Sequence, residues 1–171
     1  MRSWQLCVGH TWDGRPLAEG ERVCLALRFR AGELRVDVDA PFHDDAPPPQ
    51  PAGSCPGLFE FEVVELFLLG EAQRYLEVEL GPHGHYLVLQ LRGTRRVEAS
   101  GLPLDYAVRR RGARWTGRAR LPAAYLPPGL RACNAYAIHG PPERRRYRAA
   151  YPVPGPEPDF HRLEFFRPLG G

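Results

Sequence analysis

Residues 75–91, YLEVELGPHGHYLVLQL, are two stretches of strictly alternating character on either side of Gly81-Pro82-His83-Gly84. Side chains leave a strand on opposite faces in turn, so an apolar/polar period of two marks a half-buried strand, and the glycine-proline segment marks a turn. A four-residue turn over 81–84 gathers Leu76, Val78, Leu80, Leu87, Leu89 and Leu91 on one face and Tyr75, Glu77, Glu79, Tyr86, Val88 and Gln90 on the other. The first set makes a core face. The second carries acids and tyrosines, a pattern that suits either a wet surface or a bound ligand.

The alternation recurs along the chain. Val23, Leu25, Leu27 and Phe29 alternate into Ala31-Gly32, and Leu34, Val36 and Val38 alternate out of it, which predicts a hairpin. LFEFEVVELFLL over 58–69 is a mostly apolar run of strand length, suited to burial on one or both faces. Segments 104–108, 115–121, 130–138, 147–151 and 160–166 supply the remaining strands, about nine in all. The 122–129 connector has room for at most one helical turn. With 18 glycines and 19 prolines spread through the chain, little uninterrupted length is left for a helix. The expectation is an all-β, antiparallel two-sheet sandwich without substantial helix, as one domain over residues 1–171. Residues 40–57, with six prolines, are expected to form a long surface loop.

At 171 residues, 43% hydrophobic and 25% charged, the chain can bury a core of its own. A formal charge of +3 is too small to imply nucleic acid or an anionic membrane. All 23 basic residues are arginine, which excludes Schiff-base chemistry on an ε-amine, lysine-anchored pyridoxal phosphate and a Walker A lysine. Cys7, Cys24, Cys55 and Cys133 have no zinc-site spacing, although an even count leaves a disulfide open. The N-terminal MRSWQLCVGHTWDG lacks a secretory apolar stretch, and no segment has the length of a membrane span. A cytoplasmic protein with reduced thiols is expected, while oligomeric state stays open.

Glu65 shares its alternation face with Phe59, Phe61, Val63, Phe67 and Leu69, so its carboxylate needs a partner. A turn over 70–74 sets Leu69 opposite Tyr75, Phe67 opposite Glu77 and Glu65 opposite Glu79. Opposed Cβ atoms sit about 5 Å apart, where two ionised acids repel unless a cation, an arginine or a shared proton intervenes. Three accounts fit the residues. Glu65 pairs with an arginine while Glu77 and Glu79 are solvated; or the acids anchor sugar hydroxyls or a calcium ion; or two of them form the carboxyl pair of a retaining glycosidase.

His83 and His85 flank Gly84, but no third metal ligand is apparent, so neither a metal nor a cofactor is expected. His139 at a strand end and His161 near the C-terminus are candidates for the rim of a site. The arginine runs 109–111 and 144–148, the second containing Tyr147, suit a solvated face or capture of an anionic ligand rather than nucleic acid.

The segments HTWDG (10–14), APF (40–42), EVVELF (62–67), YLEVELGPHGHYLVLQL (75–91), AIHG (137–140), YPVP (151–154) and PDFH (158–161) together resemble the family represented in human by the chromosome 4 open reading frame 33 protein. That resemblance spans nearly the whole chain and implies common fold and descent, without bringing an activity. Asp13-Gly14, Val64 to Phe67, Trp115 with Pro122, Asn134, and Phe160-His161 are also similar to the pattern of type 9 carbohydrate-binding modules, a DOMON-like jelly roll. The chain departs from that pattern where a paired aromatic clamp for sugar rings belongs. Trp115 alternates with small core residues, and Trp4 and Trp12 lie near the terminus.

The expected function is non-catalytic binding of a saccharide or related polar ligand by Glu65, Glu77, Glu79, His83, Tyr86, His139, Tyr147 and His161. A small hydrolase using Glu65 and Glu79, or a protein-interaction domain working through residues 40–57 and the arginine faces, are the alternatives.

Overall fold

The computed structural model describes residues 2–169. Those residues form two packed β-sheets, with no α-helix among them and six short 3-10 turns. The strands run β1 Arg2–Val8, β2 His10–Thr11, β3 Val23–Arg30, β4 Glu33–Pro41, β5 Gly53–Ser54, β6 Val63–Leu69 and β7 Arg74–Leu80. They continue as β8 His85–Arg92, β9 Val97–Ser100, β10 Asp105–Arg111, β11 Arg114–Pro122, β12 Ala132–His139, β13 Arg146–Ala149 and β14 Arg167–Pro168. One sheet has the order β1-β3-β4-β11-β10; the other runs β2-β13-β12-β6-β7-β8-β5, with β14 added to β12 and β9 to β8. All pairings are antiparallel except the two-residue contact of β5 with β8.

The inward faces of the two sheets meet in a core of Leu25, Leu27, Leu34, Val36, Leu66, Leu68, Leu76, Val78, Leu80, Trp115 and their neighbours. The alternation of β3, β4 and β11 follows from this packing, since the opposite face of that sheet is covered with charge: Asp37 binds both Arg35 and Arg118, and Asp39 binds Arg114. Cys7 and Cys24 face one another across β1 and β3 as exposed free thiols.

The second sheet is buried on both faces. Cys55, Leu58, Val153, Phe160 and Phe166, all from loops, close over its outer side and pack on Val63, Phe67, Tyr75, Leu87, Leu91, Tyr136 and Ile138. Every residue of β6 is therefore buried, as the apolar run requires.

The pairing of β6 with β7 has the expected register: Leu69 opposite Tyr75, Phe67 opposite Glu77, Glu65 opposite Glu79. The hairpin turn is one step different. Gly81 donates to the His85 carbonyl at 2.9 Å, leaving Pro82, His83 and Gly84 as a three-residue turn, with Gly84 at φ 89°. Leu80 consequently pairs with Tyr86 and Glu79 with Leu87. This one-residue change exchanges the faces of β8: Leu87, Leu89 and Leu91 join Glu77 and Glu79, while Tyr86 and Val88 face the inter-sheet core.

Three other expectations change. The 58–69 run opens with a 3-10 turn, Leu58–Glu60, and enters the sheet only at Val63. Residues 160–166 form no strand; Leu163–Phe165 is a 3-10 turn and only Arg167–Pro168 pairs, because Phe160 and Phe166 are drawn down onto the sheet. The 40–57 segment begins inside β4, contributes β5 and is tied down throughout: Asp45 accepts the Gly140 N–H at 2.6 Å, and the Gln50 carbonyl contacts His85 Nε2 at 2.7 Å. No helix among the described residues is long and apolar enough to cross a membrane.

Candidate functional site

Glu65 on β6 and Glu77 and Glu79 on β7 project from the outer face of the second sheet into the space beneath the loop cover. They are 2%, 6% and 2% exposed respectively. Glu79 stands directly across from Glu65, and Glu77 lies two positions along the same face, so the strand register alone brings three acids together. A carboxylate oxygen from each lies within 4.8 Å of the other two.

The acids floor a cleft of about 540 Å³. Leu87, Leu89, Leu91, Ile138, Tyr147 and Phe160 make apolar walls, and Phe59, Arg95 and His161 are part of the lining. The leucines of β8 are on this face only because the hairpin turn has three residues.

Burial pushes all three carboxyl groups above their ordinary range. At Glu65 the charge of Glu77 adds to burial, and Arg145 opposes both. At Glu79, burial acts first, then the charges of Glu65 and Glu77, with the Phe59 backbone opposing. Glu77 also rises through burial, but its hydrogen bond with Glu79 and the charge of Arg95 work against the rise. Burial and the neighbouring acidic charges act more strongly on Glu79 than on Glu77, so of the two Glu79 is the one that keeps its proton to higher pH. Glu79 Oε2 is buried without a hydrogen-bond partner among the described residues.

His161 sits at the edge of the cluster. Its Nδ1 is 2.8 Å from the Tyr75 hydroxyl, which also accepts the Arg95 N–H at 3.0 Å, and its Nε2 is 3.8 Å from Glu77 Oε2. Burial, reinforced by Arg95 and opposed by Asp159, pulls the imidazole down to about 4, so at neutral pH its approach to Glu77 is not an ion pair. Arg95 itself binds Asp159 at 2.8 Å on the exposed rim.

Glu65, Glu77, Glu79, Tyr147 and His161 thus share one cleft, and the other three expected residues do not. Tyr86 faces the inter-sheet core, where its hydroxyl accepts the Leu104 N–H at 3.3 Å and its ring meets Tyr106. His83 packs edge-on against Phe42 in the hairpin turn. His139 stacks on His43 with ring centres 3.5 Å apart, and burial together with His43 and nearby arginines lowers it to about 3. Each lies away from the acids because its strand position points to the other face or the turn carries it to the sheet's end.

The arginine run divides as well. Arg145 and Arg148 are internal struts: Arg145 donates to the carbonyls of Gly140, Phe59 and Phe61, and Arg148 binds the Glu21 side chain and carbonyl. Neither offers a free guanidinium for an anionic ligand, and Arg145 instead holds down the segment that roofs the acids. Arg110, from the other run, lies over the Phe42 ring. The residues that sequence reasoning missed are the walls, Leu87, Leu89, Leu91, Ile138 and Phe160. A turn of three residues, with glycine in its left-handed position, was the signal for the leucines.

No family model matches the chain. The mouse UPF0462 protein C4orf33 homolog is 44% identical over 171 residues, covering 95% of this chain and 88% of its own length. The human UPF0462 protein C4orf33 is 43% identical, covering 94% and 84%. Among solved structures, a Bacteroides uniformis protein provisionally named as carbohydrate-binding superposes with a TM-score of 0.71 at 14% identity, over 97% of this chain and 84% of that one. At that identity the likeness is one of fold.

Proposed function

Since this chain belongs to the UPF0462 C4orf33 family, a membership that establishes descent but names no ligand, we propose from the site itself that it is a non-catalytic binding domain for a saccharide or related polyhydroxylated ligand. The observation that carries this reading is the convergence of three buried carboxyl groups on the floor of an apolar-walled cleft of about 540 Å³. Small-ligand sites combine a mainly apolar lining with a few convergent polar groups, in volumes of a few hundred Å³.

A protonated carboxyl donates one hydrogen bond and accepts others, which matches the hydroxyl groups of a sugar. Tyr147 and Phe160, packed edge to face, and the β8 leucines offer the apolar surface against which C–H faces rest. Arg95 on the rim, bound to Asp159 through one nitrogen, keeps further N–H groups to donate to an acidic substituent. The fold neighbour from Bacteroides uniformis, whose name refers to carbohydrate, is consistent with this use of the sandwich. The four free thiols suit a reducing, cytoplasmic setting.

A glycan array followed by calorimetry on the retained ligand tests the proposal. Retention without product, weakened by Tyr147→Ala and by Glu65→Gln, supports it. Release of product that Glu65→Gln abolishes makes the protein a glycosidase with its acids in catalytic use. Absence of both retention and turnover across saccharides refutes the proposal.

A further inference from the structure

We infer that Glu65, Glu77 and Glu79 form a site for one divalent cation, with His161 placed to act as a fourth ligand. This deepens the proposed function, because it concerns the floor of the same cleft, but it stands on its own observations.

The first is geometric. Two ligands of a common ion cannot lie farther apart than twice the metal–oxygen distance. That limit is about 4.6–5.2 Å for calcium, at about 2.3–2.6 Å per bond, and about 4.0–4.2 Å for magnesium. One oxygen from each acid lies within 4.8 Å of the others, inside the calcium limit. The backbone already bears the cost of bringing them together, since Glu65 and Glu79 are fixed by the β6–β7 register and not by flexible loops.

The second is an orphaned atom. Glu79 Oε2 is buried, on a residue 2% exposed, with no hydrogen-bond partner among the described residues. A buried carboxyl oxygen without a partner loses the hydrogen bonds that water gave it and gains none in return. Neither neighbouring acid can balance Glu79 once it gives up its proton, and the two arginines of this region are engaged elsewhere: Arg145 with three carbonyls and Arg95 with Asp159. A cation that displaces the carboxyl protons satisfies that oxygen and neutralises most of the charge the three acids then carry.

The third is His161. Its Nδ1 is held by the Tyr75 hydroxyl while Nε2 points to Glu77 at 3.8 Å, a separation compatible with two ligands of one ion. An imidazole fixed through its other nitrogen is the usual arrangement for a metal-bound histidine. Hard oxygen donors favour calcium or manganese, and participation of His161 favours manganese. The cleft lined by Leu89, Tyr147 and Phe160 beside the acids leaves room for water or for ligand hydroxyls.

Full-length protein stripped with a chelator and dialysed against Ca²⁺ or Mn²⁺ in turn, with bound metal measured by atomic emission, tests the inference. About one equivalent of one of these ions is expected at the stoichiometry of a single site. Glu79→Gln and, separately, Glu77→Gln should weaken uptake by at least about tenfold, whereas the exposed Glu98→Gln should leave it unchanged. Loss of uptake in His161→Gln identifies the manganese-type site, and indifference to that change identifies the calcium type. Circular dichroism verifies the fold of each variant, and either glutamate variant suffices if the other fails to fold.

Uptake below about 0.1 equivalent of either ion, or uptake unaffected by both glutamate substitutions, overturns the inference. Glycan retention measured in chelator separates this result from the proposed function. Metal uptake without glycan retention removes the saccharide reading alone, and glycan retention without metal uptake removes the cation alone.

Discussion

Replacing Arg145 with methionine should destabilise the protein by about 3–5 kcal/mol and loosen the cover of the acid cleft. Arg145 donates to the Gly140 carbonyl at 2.6 Å, to Phe59 at 2.9 Å and to Phe61 at 2.8 Å, and its side chain is only 11% exposed. Each charge-assisted bond contributes about 1.5–3 kcal/mol, and a buried carbonyl left unpaired costs about 1–3 kcal/mol. The three bonds form one unit around one guanidinium, and removing its own desolvation offsets part of the loss. The expected total is therefore nearer the cost of breaking one buried polar network than three independent terms. At this chain length that corresponds to a melting temperature lower by about 10 °C. Arg145→Lys should recover little, because one ammonium lacks the fork that spans three carbonyls.

Urea titration followed by tryptophan fluorescence measures the difference. The structure also predicts a local effect. Phe59 and Phe61 border the segment over the acids, so hydrogen exchange should accelerate at residues 57–62 before it does at β3 or β4. A loss below about 1 kcal/mol, with unchanged exchange over 57–62, would refute the assignment of Arg145 as the strut of this cover.

Three further outcomes check other parts of the structure. Gly70→Ala should cost about 2–4 kcal/mol by thermal denaturation, because a Cβ there would come to 2.2 Å from the Pro128 carbonyl oxygen and 2.8 Å from Pro127 Cβ; near-neutral stability would show that this approach is not maintained. Glu62 is pushed up from 4.5 to about 7, chiefly by burial, against the N–H groups of His43 and Asp45 that it accepts. The folded state then holds more protons than the unfolded one between those values, so this group's stabilising contribution is present below about pH 4.5 and lost as pH rises through about 7. Glu62→Gln should flatten that part of the stability–pH curve, and an unchanged slope counts against the burial of Glu62. Tyr86→Phe should leave ligand retention unchanged while costing about 1 kcal/mol through the lost Leu104 bond, whereas Tyr147→Ala should weaken retention; equal effects on retention would contradict the placement of Tyr86 in the inter-sheet core.

Strand identity and pairing are local properties, and the chain expresses them plainly. Period-two alternation marks β3, β4, β7, β8 and β11, and the β6–β7 register follows from a short turn, so Glu65 opposite Glu79 is legible from residues 63–80 alone. The charged outer face of the five-stranded sheet is equally visible. Alternation counted through a four-residue turn sets the faces of β8 one residue out, because Gly81-Pro82-His83-Gly84 contains a three-residue turn and Gly81 still belongs to the ladder. That single step decided whether Leu87, Leu89 and Leu91 faced the core or the acids.

Other features depend on contacts between distant segments. Residues 55–61 and 153–166 close over the second sheet, turning a face that alternation marks as half polar into a second core and burying three acids in it. Nothing in the local pattern of β7 distinguishes a wet acidic face from a covered one, since the cover comes from loops separated by about a hundred residues. Likewise, Arg145 and Arg148 look like members of a solvated run until Phe59, Phe61, Gly140 and Glu21 are brought to them. Amino-acid order alone determined the sandwich and the opposition of Glu65 and Glu79, because backbone geometry and hydropathy act over a few residues. Whether that opposition became a charged surface or the floor of a cleft was decided by tertiary packing, because burial is a property of everything that surrounds a side chain.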